Sequence, residues 1–244
     1  MASEYDIPAF LVAGNASHVG KTTTCLALLC ALQKRGFIVR SAKAGPDFID
    51  TRYHSLFSHA PCANLDLWMG GKKGLQKLLT RICRPLAGQR PDILMIEGAM
   101  GLFDGADSSS AHLAELFDVP VLLLLSAKGL GESIAAIAEG FFIHARRFHN
   151  LAFLGLIVTN VGSDHHRSLL RKALFPICRA FKVPLLGCLP RESAPALSSR
   201  HLGLVSVEEN RDALSFDDLA AWFEKNCDGT RLLRALHLSQ TKNL

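Results

Sequence analysis

The sequence predicts an α/β fold: a mostly parallel sheet with helices on both faces and a phosphate-binding (P-loop) turn after its first strand. Three observations predict it. Short aliphatic runs alternate with longer amphipathic ones, as "AFLVAG" does with "KTTTCLALLCALQKRG". The short runs lack polar alternation, so their strands are buried on both faces, and helices between such strands mean a parallel sheet. A Gly-Lys-Thr stands between the first strand and the first helix, at Gly20, Lys21 and Thr22.

Each element follows in order. "AFLVAG" is a strand, and the helix after the loop ends in a basic turn and Gly36. "FIVRSA" is the second strand and leads into what reads as a polar loop, "KAGPDFIDTRYH". A helical stretch around Gly74–Cys83 precedes the third strand, "DILMIEG", and the glycine-rich "AMGLFDG". The helix "SAHLAELF", the strand "VPVLLLLSA", a helix over roughly Leu130–Phe148 and the strand "LAFLGLIVTN" come next. "HRSLLRKALFPICRAF" is a helix, "VPLLGCLP" the last strand, and "SFDDLAAWFEKN" a helix opened by a Ser or Asp cap. No internal repeat or low-complexity segment interrupts them.

With 244 residues the chain reads as one sizeable domain over 1–244. A balance of 27 Lys+Arg against 22 Asp+Glu, with no basic run, argues against a nucleic-acid binder. The start "MASEYDIPAF" lacks the features of a secretory signal, and the longest apolar stretches are too short for a bilayer, so no membrane partner is expected. Seven cysteines, at Cys25, Cys30, Cys62, Cys83, Cys178, Cys188 and Cys227, form no C-x-x-C pair. They read as core side chains in a reducing cytoplasm rather than as disulfides or a zinc site.

The chemistry starts in "GNASHVGKTT". The usual pattern, G-x-x-x-x-G-K-[ST], has four residues between its glycines. Here five separate Gly14 from Gly20, and Asn15 stands where the first glycine should be. The predicted nucleotide-binding set is Gly14, Asn15, Ser17, His18, Val19, Gly20, Lys21, Thr22 and Thr23. Backbone N–H groups and a helix N-terminus converge there on an anion. Lys21 would reach the β- and γ-phosphates of ATP, and the Thr22 hydroxyl would ligate Mg²⁺. A helix cap alone explains Ser17 or Thr22, but not Gly-Lys-Thr in this context.

Lys43, Asp47 and Asp50 follow the second strand; Glu97 and Asp104 follow the third. In a parallel sheet the strand carboxyl ends form the ligand crevice, so both loops should face the phosphate loop. Their carboxylates can bind Mg²⁺ or position an acceptor, and Gly98, Gly101 and Gly105 let backbone approach a ligand closely. The alternative that Asp47 and Asp50 are only turn or cap residues stays open.

The loop spacing resembles the dethiobiotin synthetase branch of P-loop proteins, G-T-x-[ST]-x-V-G-K-T, with Asn15 in place of its first Thr. Partition-type ATPases carry a second lysine where Ala16 stands. "KAGPDFID", "NLDLWM", "EGAMGLFDG", "GSDHHRSLLRKAL", "LPRE" and "SRHLGL", in that order, resemble the synthetase domain of the cobyrinic acid a,c-diamide synthase family, from about Phe10 to the final helix. The resemblance implies a dethiobiotin synthetase-like fold and ATP-dependent amidation of corrin carboxylates in cobalamin biosynthesis. A substrate carboxylate attacks the γ-phosphate to give an acyl phosphate, and ammonia then displaces phosphate.

Carried over by motif, the catalytic set is Lys21, Lys43, Asp47, Asp50, Glu97 and Asp104. Thr22, Asp47 and Glu97 would hold Mg²⁺, Lys43 would lie near the reacting group, and Asp50 and Asp104 would support substrate or intermediate. Arg191, Arg200 and His201 would meet the nucleotide or a polyanionic substrate. Two positions depart from the family. Thr159-Asn160-Val161-Gly162 replaces Asn-Arg-Val-Gly, so the adenine-reading asparagine is shifted to Asn160 or replaced by Thr159. His18 stands where glycine is common.

Family members usually continue into a glutaminase domain with a catalytic Cys, and none of these cysteines lies in a Gly-rich nucleophile turn. The glutaminase is therefore expected to be absent from this chain, with ammonia coming free or from a separate glutaminase chain; a homodimer is allowed. Competing readings are a dethiobiotin synthetase-like carboxylase, a nucleotide-switch or partition-type ATPase, and an ATP-binding paralogue without turnover.

Overall fold

In the computed structural model, which describes residues 7–191, 199–200, 203–204 and 215–239, seven strands share one sheet. They are β1 (Ala9–Gly14), β2 (Val39–Ala44), β3 (Ala63–Leu65), β4 (Ile93–Gly101), β5 (Val121–Ser126), β6 (Phe153–Val161) and β7 (Leu185–Pro190). Their order is β3-β2-β4-β1-β5-β6-β7, and every pairing is parallel. A separate antiparallel pair joins β8 (Ser199–Arg200) to β9 (Gly203–Leu204), which lies against the second helix.

The helices are α1 (Lys21–Lys34), α2 (Phe48–Ser58), α3 (Leu67–Ile82), α4 (Ser110–Leu116), α5 (Ile134–Phe148), α6 (Asp164–Phe181), α7 (Phe216–Asn226) and α8 (Gly229–Ala235). Successive strand residues face opposite sides, and both sides are covered. Phe10, Val12, Ile93, Met95, Leu122 and Leu124 pack with α1, α2, α7 and α8. Leu11, Ala13, Leu94, Ile96, Val121 and Leu123 pack with α3 to α6. That is why the strands read as unbroken aliphatic runs.

Helix α1 is buried from Thr24 to Leu32, because it lies between the sheet and α7. Its end is held to α7 by a bidentate pair: Arg35 Nε and Nη2 each donate to Glu224 at 2.7 Å. Chain direction decides where a ligand can sit. The chain leaves β1 towards β2 on one side and leaves β4 towards β5 on the other, so the carboxyl ends of β1 and β4 flank the switch point.

Three elements differ from the sequence expectation. Most of the predicted loop "KAGPDFIDTRYH" is helix α2: Asp47 caps it, its Oδ1 accepting from the N–H groups of Ile49 and Asp50. Pro46 stands before the cap, where a missing N–H breaks no helical bond. Strand β3 has three residues, too few for a periodic signal. Helix α3 starts at Leu67 behind its cap Asp66 and bends at Gly71 (φ 58°, ψ 172°), ahead of the stretch expected to be helical.

Two glycines test this packing. A Cβ on Gly187 would run into Cys227 Sγ and lie 2.6 Å from the Asn226 carbonyl, whereas one on Gly140, on the exposed side of α5, meets nothing within 4 Å. Gly187→Ala should lower unfolding stability by about 1–3 kcal/mol through overpacking. Gly140→Ala should raise it by about 0.5–1 kcal/mol. Urea denaturation of both variants measures the contrast.

Candidate active site

Three backbone segments meet at the carboxyl ends of β1, β2 and β4. The turn from β1 to α1 takes left-handed φ at His18 (57°) and Gly20 (89°). Gly20 caps α1 with no side-chain hydrogen bond, so the first N–H groups of the helix point at the loop's concavity. The φ at His18 explains why glycine is common there; histidine is among the side chains that tolerate it. Gly14 is required sterically, since a Cβ would strike Val19.

A backbone N–H of β5 and a side chain of β6 clamp the loop. Asn15 Oδ1 accepts from the Ser126 N–H at 3.0 Å, and Ser126 Oγ accepts from Asn160 Nδ2 at 2.9 Å. The buried Thr159 hydroxyl donates to the Val19 carbonyl at 2.7 Å. Asn160, half-buried with φ 58°, remains at the rim of the crevice. Arg191 follows β7, exposed, its N–H donating to the Val161 carbonyl. Arg200 belongs to β8 by its backbone, and His201 lies outside the described residues.

Glu97 is the centre of the site. Its side chain is fully buried, and three neighbours donate to it. Thr22 Oγ1 reaches Oε1 at 2.8 Å, Lys43 Nζ reaches Oε1 at 3.0 Å, and His54 Nε2 reaches Oε2 at 2.6 Å. Lys43 also pairs with Asp50 Oδ2 at 2.8 Å and donates to the Gly98 carbonyl at 3.2 Å. Burial pushes the Glu97 carboxyl up, but Lys43 and then His54 outweigh it and hold it down at about 2. Burial and then the Glu97 charge push Asp50 up to about 6, against Lys43. Lys43 is raised because Glu97 and Asp50 overcome its own desolvation.

Lys21 lies across the same space. Its Nζ donates to the Ala16 carbonyl at 3.0 Å and the Met100 carbonyl at 2.6 Å. Met100 presents that carbonyl from a left-handed φ of 46°. Burial, then repulsion from Lys43, lower the Lys21 pKa. Two cations this close make a field suited to a polyphosphate or an acyl phosphate.

The predicted acids divide by role. Asp50 and Glu97 enter the buried cluster. Asp47 is the α2 cap, while Asp104, exposed, accepts from the Gly101 N–H at 2.9 Å and closes the turn after β4. Two partners were missed from sequence. His54 lies four residues after Asp50, on the same face of α2, a spacing hidden while the segment reads as a loop. Its Nδ1 has no partner among the described residues. Ser126 carried no sequence signal, being the last residue of an aliphatic run.

Thr22 and Glu97 are adjacent hard oxygen donors, a set that fits Mg²⁺, which takes one or two protein oxygens and completes its shell with phosphate and water. Among the described residues no group of three His, Cys, Asp or Glu side chains forms an all-protein metal cage. Burial raises the thiol pKa of all seven cysteines, Cys62 to about 12 and Cys178 to about 11, so none is an activated nucleophile. No helix among the described residues is long and apolar enough to cross a membrane.

Comparison with known proteins places this geometry. A family described as the CobQ/CobB/MinD/ParA nucleotide binding domain matches residues 10–205. A hydrogenobyrinate a,c-diamide synthase of Brucella anthropi is 42% identical over 215 residues, 87% of this chain and 47% of its own length. Cobyrinate a,c-diamide synthases of Syntrophotalea carbinolica (39% over 232 residues, 93% of this chain, 48% of the relative) and a Synechococcus species (38% over 230 residues, 92% and 48%) are also similar. The chain spans about half the length of the curated relatives it matches.

The acid pair gives the site a pH signature. Asp50 binds its proton more tightly folded, at about 6, than at its ordinary 3.8, so its contribution to stability falls as pH rises from about 4 to 6. Glu97 works in the opposite sense: its contribution is complete above 4.5 and is lost as pH falls towards 2. Wild type should therefore lose stability relative to Asp50→Asn between pH 4 and 6, by on the order of 1–3 kcal/mol, and run parallel to it above. Urea unfolding across pH measures the difference; parallel curves throughout would remove the Asp50 assignment.

Proposed function

The chain belongs to the CobQ/CobB/MinD/ParA nucleotide binding domain family, and on that premise we propose that it is the ATP-dependent amide-forming domain of a corrinoid a,c-diamide synthase. The observation that carries the reading is the convergence of Lys21, Thr22, Lys43, Asp50 and Glu97 at the carboxyl ends of β1, β2 and β4. A nucleotide-switch protein needs the phosphate loop and a metal; a second buried lysine held between two carboxylates is what an acceptor carboxylate requires besides.

In this reading Lys21 and the first turn of α1 hold the β- and γ-phosphates of ATP. Lys43 turns from Asp50 towards the acceptor carboxylate and neutralises charge as that carboxylate attacks the γ-phosphorus and ADP leaves. Thr22 and Glu97 would hold Mg²⁺, which would supply positive charge to shield the phosphate oxygens. Ammonia then attacks the acyl carbon, phosphate leaves, and Asp50 is placed to accept the proton released from nitrogen. Such transfers depend mainly on positioning and charge neutralisation. Asn160, with Arg191 beyond it, is assigned to the base side, and Asp47 and Asp104 shape the two acceptor-side turns.

The similar proteins carry the names of both cobyrinate and hydrogenobyrinate a,c-diamide synthases, so the proposed acceptor is the shared polycarboxylate corrin, with or without cobalt. Raised thiol pKa values support ammonia, rather than glutamine hydrolysed by this chain's cysteines, as the nitrogen donor. Seven free cysteines, five of them buried, fit a reducing cytoplasm.

Purified chain with Mg-ATP and ammonium should release ADP only when cobyrinate or hydrogenobyrinate is added, with amide product seen by mass spectrometry. Glutamine should not replace ammonium. Lys21→Ala should lower the rate at least ~100-fold while leaving the far-UV circular dichroism unchanged. ADP release indifferent to either corrinoid would overturn the acceptor assignment.

A further inference from the structure

At the edge of the sheet, between β2, β3 and the last turns of α3, a cleft of about 610 Å³ is lined by three arginines, Arg40, Arg81 and Arg84, and by no acidic residue. Arg81 and Arg84 are exposed at the mouth. Arg40 is different: it is only 5% exposed. It lies near the amino end of β2, away from Lys43, on the face that Ala42 and Ala44 turn to α3. Among the described residues its guanidinium has no hydrogen-bond or ion-pair partner, and burial lowers its pKa. The rest of the lining includes apolar Leu78, Ile82 and Leu86.

A guanidinium stays charged at every physiological pH. Held largely out of water without a counter-charge, it is unfavourable until an anion joins it. Its planar fork matches the paired oxygens of a carboxylate or phosphate. The cleft has the size of small-molecule sites, and apolar walls with a few convergent polar groups are their usual construction.

We propose that this cleft is a second ligand site, separate from the phosphate loop, for a small organic anion: a carboxylate or phosphate ester on an apolar body. Arg40 grips the oxyanion from within, Arg81 and Arg84 draw it in, and Leu78, Ile82 and Leu86 cover its apolar part.

The test uses the whole chain saturated with Mg-ADP, so that the phosphate loop is filled. Phenyl phosphate, benzoate and inorganic phosphate are titrated separately while the unfolding temperature is followed. A saturable rise with phenyl phosphate or benzoate, larger than with inorganic phosphate, is expected, and whichever is tighter identifies the headgroup. Arg40→Met should raise the unfolding temperature without ligand, abolish the ligand-induced rise and leave the rise due to ADP intact. Arg81→Ala/Arg84→Ala, changed only at exposed positions, should weaken binding at least ~10-fold and carries the test if Arg40→Met does not fold. No saturable rise in wild type, or an unchanged one in either variant, would overturn the proposal, as would equal rises with inorganic phosphate and phenyl phosphate.

Discussion

A carboxylate with no exposure to water, Glu97, is the constraint on which the site depends. It must be charged to hold Lys43, Thr22 and His54 together, and it stays charged because those three surround it. Removing one partner of such a buried set typically costs about 3–5 kcal/mol, because a charge is left uncompensated. The cluster also joins the four elements that carry it: β4 through Glu97, β2 through Lys43, α2 through Asp50 and His54, and the start of α1 through Thr22.

The phosphate loop is fixed by a different means. Its shape comes from left-handed backbone at His18 and Gly20, and its position from hydrogen bonds to β5 and β6. The chain Asn15–Ser126–Asn160 connects the floor of the loop to the end of β6. A substitution at Asn15 would therefore be felt at both places. Met100 completes the arrangement from β4, accepting from Lys21 through a backbone conformation that few non-glycine residues adopt. Bound phosphate would take over the donors that Ala16 and Met100 now occupy, and the lysine is already within the crevice.

Much of this was legible in the residues. Strands buried on both faces announce themselves as unbroken aliphatic runs, and Gly-Lys-Thr between strand and helix locates the loop. The sequence could not separate Asp47 from Asp50. Which of two acids faces inward depends on the phase of a helix, and a segment read as a loop has no phase. Once Asp47 is the cap, Asp50 and His54 fall on one inward face. Strand β3 was too short for any pattern, and Thr159 showed its partner only when β6 and the loop were adjacent in space. The arginine cleft was invisible for the same reason: Arg40 is far along the chain from Arg81 and Arg84 and meets them only because α3 packs back on the sheet edge.

The most direct test of Glu97 as the organising charge is calorimetric binding of a non-hydrolysable ATP analogue to wild type and Glu97→Gln, with and without Mg²⁺. Wild type should bind at least ~10-fold more tightly with the metal, and Glu97→Gln should lose that gain while its metal-free affinity stays within about threefold of wild type. A variant that keeps the full Mg²⁺ effect would contradict the account, because the carboxylate would then link neither the metal nor the phosphate loop to the acceptor side.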